Sequence, residues 1–208
     1  MRPVDGVSGT HSNSLTAPSN NADTVDSATL GSGNLREVVK LPLGEDLNEW
    51  LAVTINDLFK QVRMLFGIIK DECTQQRCPT MSAGPNHTYF WSEDKGNGPE
   101  PMDMSASLYI DCLLSAVGEQ LDDEELFPSQ IGRAFPVDFE SICRSIMARL
   151  VRVYAHVMNA HADCITLLNA TPHVNTSFKH FILFAREFKL ISQEDLAPLA
   201  ECIERILG

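Results

Sequence analysis

The chain has 208 residues, 44% of them hydrophobic, enough to bury one good-sized core and with nothing to suggest a second. Sixteen Lys and Arg against 28 Asp and Glu leave a net charge of −12, which argues against nucleic acid or an anionic membrane surface as the main partner and favours a basic protein segment. No apolar run approaches the roughly 20 residues of a membrane span, and residues 1–27 lack the basic and apolar regions of a secretory signal, so an intracellular protein with reduced cysteines is expected.

In chain order, residues 1–27 are rich in Ser, Thr, Asn, Asp, Gly and Pro with no sustained apolar period. Such a stretch cannot bury enough surface to offset its ordering entropy, and it reads as a disordered N-terminal tail. From residue 28 to 208 helical periodicity dominates and strand-like alternation is brief, which predicts a single, mainly α domain. The first clear helix carries Leu47, Leu51, Ile55, Leu58, Val62, Leu65 and Ile69 on one stripe facing the core. On a wheel of about 100° per residue, Trp50 lies roughly 100° from the centre of that stripe and Val53 about opposite it. Glu49 and Asp57 are near them, and Glu45 and Asp46 stand at the N-terminal turn. Acids at a helix start serve the macrodipole, and an off-stripe Trp can pack under a neighbouring loop. The same residues, an exposed aromatic ringed by carboxylates, also make a docking site for a basic amphipathic partner.

Cys73 and Cys78 follow that helix, and residues 79–104 then read as irregular chain broken by Pro79, Gly84, Pro85, Gly96, Gly98, Pro99 and Pro101. A loop of this length inside a compact domain needs an anchor. Two thiolates from the Cys pair and two imidazoles from His156 and His161 are the ligand set of a closed tetrahedral zinc site, which would provide it. Two buried thiols and two ordinary surface histidines are the bland alternative. Residues five apart differ by roughly 140° around a continuous helix, so His161 should sit where the helix ends or bends.

A second helix runs through Leu108, Cys112, Leu113 and Val117. The third carries a core stripe of Phe139, Ile142, Ile146, Leu150, Val153 and Val157, with Arg149, Arg152 and His156 within about 60° of one another beside it. Two arginines three apart can fork a phosphate or carboxylate; they can equally be a solvated face or part of a salt bridge. Phe178, Phe181, Ile182, Ala185 and Phe188 form the next apolar face behind Asn175 as capping residue. Ser192 with Asp195 resembles a capping box opening a last helix through Leu199, Ile203 and Ile206. Catalytic signatures are missing: there is no HExxH, no G-x-S-x-G, no phosphate-cradling glycine loop. A zinc hydrolase therefore remains only as the case in which one histidine is not a ligand and water takes its place.

The stretches ATLGSGNLR (28–36), GEDLNEW (44–50), CPTMSAGP (78–85), ELFPSQIG (125–132), RVYAH (152–156) and NTSFKHFILFAREF (175–188) resemble, in order and spacing, those of the Mob/phocein family, the Mob kinase activators. They look closest to the founding subfamily that activates NDR/LATS-type kinases. The resemblance implies a mainly helical fold around a four-helix bundle with additional helices, a long irregular loop and one structural zinc held by Cys73, Cys78, His156 and His161. It implies a non-catalytic adaptor that binds the basic N-terminal regulatory segment of an AGC-class kinase through Glu45, Glu49, Trp50 and Asp57; Val53 joins that surface by geometry. Growth, mitotic-exit or cytokinesis signalling is the expected setting, in the cytoplasm and also at the nucleus, spindle poles or division site. A scaffold that binds without activating, or a phocein-like partner of phosphatase complexes, is the competing reading.

The subfamily also reads phosphorylated segments of upstream Hippo-type kinases or scaffolds with a basic pocket, of which Arg149 and Arg152 match two positions. Here Ala148 stands where a Lys is typical, and the loop around Glu100 and Pro101 lacks paired lysines. Each lost cation weakens phosphate binding.

Overall fold

In the computed structural model, residues 29–30, 33–92, 102–130 and 132–208 are described. The segment read as a tail and the loop positions Glu100 and Pro101 lie outside them. A four-residue turn of helix, α1 (Leu35–Val38), is capped by the Asn34 side chain, which accepts from the Arg36 N–H at 3.2 Å. The four long helices are α2 (Leu47–Ile69), α3 (Ala106–Leu121), α4 (Phe139–Ala160) and α6 (Thr171–Glu187). Between the last two lies the short α5 (Ala162–Leu167), and the chain finishes with α7 (Gln193–Leu196), a 3₁₀ turn over Ala197–Leu199 and α8 (Ala200–Leu207). No β-strand forms among the described residues; the only sheet-like pairings there are two isolated bridges, Ser82 with Thr88 and Trp91 with Met102. The expected mainly α fold with a four-helix core is the one observed.

The helices form where burial and capping agree. Asp46 caps α2, its carboxylate accepting from the N–H groups of Asn48 at 2.8 Å and Glu49 at 3.2 Å. Helix α4 is the centre of the bundle: Leu150, Val151, Val153, Tyr154, Ala155, His156 and Val157 are all buried, so it is enclosed on every side over two turns. Its most extensive packing is against α2. Tyr154 sits between Phe178 and Phe181 of α6, ring centroids 5.4 and 4.9 Å away, contacts that add to an area term of about 1.5–3 kcal/mol for each fully buried apolar side chain.

Several local expectations are corrected. Leu47 and Leu108, placed on core stripes, are 41% and 51% exposed: Leu47 is the first residue of α2, and Leu108 lies about opposite the buried line of Ala106, Ile110, Leu113 and Val117 on α3. Asn175 does not cap α6. The helix begins four residues earlier with Pro172 in its first turn, and Asn175 is buried inside it. Ser192 does cap, accepting from the Asp195 N–H at 3.1 Å, but the last helix is broken into α7, the 3₁₀ turn and α8 at Pro198, which has no N–H to continue the ladder. Helix α6 ends in a 6→1 bond from the Leu190 N–H to the Ala185 carbonyl at 2.9 Å with Lys189 left-handed (φ 52°), a closure usually made by Gly or Asn.

Candidate functional site

Cys73 and Cys78 are presented by the chain leaving α2. The Cys73 N–H still bonds the Ile69 carbonyl (2.8 Å), and one further turn bonds Cys78 N–H to the Thr74 carbonyl (2.8 Å). His156 comes from the last turn of α4. His161 follows directly on its end, at φ −130° and ψ 18°, between α4 and α5. The break turns its side chain to the same place as that of His156, with ring centroids 5.1 Å apart.

The four side chains are buried, and their donor atoms all lie within 4.8 Å of one another. Cys73 Sγ is 3.4 Å from His156 Nε2 and Cys78 Sγ 3.5 Å from His161 Nε2. Zinc–sulfur and zinc–nitrogen bonds of about 2.3 and 2.0–2.1 Å, set tetrahedrally, put sulfur and nitrogen about 3.5 Å apart. The residues therefore fit a four-coordinate metal ion. A carbonyl only accepts, so the 2.8 Å bond between His156 Nδ1 and the Ser82 carbonyl places the ring proton on Nδ1 and leaves the Nε2 lone pair facing the cluster. His161 Nδ1 is buried without a partner among the described residues. Burial lowers the pKa of His156; it lowers that of His161 to about 4, with His156 and Arg77 adding to the effect, which favours the neutral rings that a metal ion requires. Burial, then the neighbouring Cys78, pushes the Cys73 thiol well above its ordinary range. Such thiols ionise when a divalent cation compensates them.

The exposed side of α2 carries a second feature. Glu45, Glu49, Val53 and Asp57 are exposed, and Asp57 pairs with Lys60 at 3.0 Å. Trp50 is not an exposed anchor. It is half-buried against the core, and its Nε1–H donates to the Val39 carbonyl at 3.3 Å, packing under the loop that leads into the helix. Continuing from Val53 and Asp57 at three- and four-residue steps are Gln61, Met64 and Ile68, which the sequence reading did not single out. They line a cavity of about 460 Å³ between α2 and α6, closed by Leu30, Leu35, Val174 and His180. Its floor is a directed chain of hydrogen bonds. Ser177 Oγ donates to Gln61 Oε1 at 2.9 Å and so accepts from Tyr154 Oη at 2.6 Å. Burial holds His180 below its usual range, 3.4 Å from Gln61 Nε2. The signal was available, because Met64 and Ile68 extend the line of Trp50, Val53 and Asp57 on the helical wheel.

Arg149 and Arg152 are both half-buried on α4. Arg152 Nη1 donates to Tyr109 Oη at 2.7 Å, and its guanidinium carbon lies 5.5 Å over the Tyr89 ring. Burial lowers the Arg149 pKa and the nearby Arg152 lowers it further, so the two cations share one locale. His156, on the same side of α4, belongs instead to the Cys–His cluster.

The Mob1/phocein family model matches residues 27–199. The MOB kinase activator-like 1B protein of Arabidopsis thaliana is 51% identical over 87% of this chain and 84% of its own length. MOB kinase activator-like 1 homolog A of Dictyostelium discoideum is 49% identical over 86% of this chain and 84% of its own. A Medicago sativa subsp. falcata protein, MOB kinase activator-like 1A, is 48% identical over 86% and 83%. With that extent of match, the chain belongs to the Mob1/phocein family.

Proposed function

We propose that the protein is a non-catalytic adaptor that binds the basic N-terminal regulatory segment of an NDR/LATS-type AGC kinase and promotes its activation, in growth, mitotic-exit or cytokinesis signalling in the cell interior. Family membership and the relatives' names as kinase activators support the general role. The observation that carries the finer reading is the single face of α2 on which exposed Glu49, Val53 and Asp57 run without interruption into the apolar cavity beside Met64 and Ile68. A basic amphipathic helix laid along this face would set its cations on the carboxylates and one apolar side chain in the cavity. The cavity and Val53, rather than the half-buried Trp50, supply the apolar anchorage.

The ion suited to Cys73, Cys78, His156 and His161 is zinc, in a structural role: four protein ligands leave no open position for a water nucleophile. Arg149 and Arg152 form a second site, for phosphorylated segments of Hippo-type kinases or scaffolds. The docking test is titration of an NDR/LATS-type kinase N-terminal segment into the wild type and a Glu49→Lys, Asp57→Lys variant. The reading expects an affinity loss of about tenfold or more, the size seen when complementary charges are reversed at an interface, with the helical circular dichroism unchanged. Equal affinities would remove this face from the interaction.

A further inference from the structure

Arg152 is held from two directions by neutral groups. Tyr109, from α3, accepts from its Nη1, and Tyr89, from the irregular segment, lies under its guanidinium. Trp91, two residues after Tyr89 in the extended chain, meets the Tyr109 ring edge-on at 5.4 Å, so alternate side chains of one short stretch grip both partners. That stretch is itself fastened. Tyr89 N–H bonds the Met81 carbonyl (2.8 Å), Trp91 and Met102 exchange two bonds of 2.9 Å, and the Ser82 carbonyl accepts from the metal-cluster residue His156.

Among the described residues Arg152 has no carboxylate partner, although the chain holds 28 acidic residues, and its Nε is buried without a hydrogen bond. A partly desolvated arginine with no ligand to bind is ordinarily paired with a carboxylate. Aromatic and hydroxyl partners fix the guanidinium plane and leave the charge in place. An arginine already held this way loses less side-chain freedom when it captures a ligand.

We propose that Tyr89 and Tyr109 are positioning residues that hold the Arg152 guanidinium in the orientation that reads a phosphoryl group, offsetting in part the cation that Ala148 does not supply. This rests on the phosphate-reading role proposed above for Arg149 and Arg152. Tyr109 fixes one edge of the fork, Tyr89 fixes its plane, and the Nη donors not bonded to Tyr109 serve the anion.

The test is an NMR titration of the metal-loaded full chain with N-acetyl-phosphothreonine amide and with N-acetyl-threonine amide. Wild type, Tyr109→Phe, Tyr89→Leu and Tyr89→Phe are compared, with metal content and circular dichroism measured on each. Wild type should prefer the phosphorylated probe. Tyr109→Phe and Tyr89→Leu should lower that preference by about tenfold, the scale of one hydrogen bond to a charged group, while Tyr89→Phe, which keeps the ring, retains it. A preference unchanged in Tyr109→Phe and Tyr89→Leu overturns the positioning role and leaves the phosphate reading standing. Absence of any preference in wild type overturns both. Should Tyr89→Leu fail to fold, Tyr109→Phe and Tyr89→Phe decide the matter by the same criteria.

Discussion

His156 and His161 reach the same cluster by different supports: one ring is fixed by the Ser82 carbonyl at 2.8 Å, the other by its place at the end of α4. In the proposed zinc-bound form a cation would hold the two buried sulfurs beside them as thiolates. Elemental analysis should therefore find one zinc per chain, and Cys73→Ser or His161→Ala should unfold or aggregate the protein. Structural zinc contributes roughly 10–16 kcal/mol in small finger peptides, comparable to the whole stability of a typical domain, about 5–15 kcal/mol. A folded, metal-free preparation would contradict this. The four residues that converge and the break at His161 were legible, because residue type and a five-residue spacing single them out. The Ser82 contact was not, since it depends on how an irregular loop folds back. Trp50 shows the same limit: the wheel marks it as off the stripe without saying what covers it. Its bond to the Val39 carbonyl makes Trp50→Ala a packing change. We expect a loss of about 2 kcal/mol in thermal unfolding, below the roughly 3–5 kcal/mol of a fully buried aromatic truncation; an unchanged melting temperature would return Trp50 to the surface.

At the scale of elements, the stripe of α2 from Leu51 to Ile69 builds the core, and the proposed docking role falls to its other line, from Val53 to Ile68. Met64 is 65% exposed, so Met64→Glu should leave the melting temperature nearly unchanged while weakening binding of the kinase segment by placing a charge at the mouth of the cavity. Equal weakening and destabilisation would mean that Met64 acts through packing. Helix interiors were readable from apolar period, but helix ends were not. The period at Asn175 fits a start there, yet Pro172 opens α6 one turn earlier, and Lys189 takes a left-handed closure that residue type does not announce. The cavity needs α6 and the segment at Leu30 brought against α2, a juxtaposition that no local pattern encodes. Leu30 is tied there by its N–H to Thr176 Oγ1 at 2.6 Å.

For the whole molecule, the Cys–His cluster joins the end of α2 to the α4–α5 junction and, through Ser82, to the segment carrying Tyr89. The charge of −12 acts over longer distances, so association with a basic kinase segment should slow and weaken as salt rises, most steeply between low and physiological ionic strength. The central claim is activation through the α2 face, and the most direct measurement is the phosphorylating activity of an NDR/LATS-type kinase as this protein is added. Wild type should raise that activity until one molecule is bound per kinase, and the Glu49→Lys, Asp57→Lys variant should raise it only at much higher concentration. A kinase bound with the same affinity by both proteins, or bound by wild type with no rise in activity, would contradict the account.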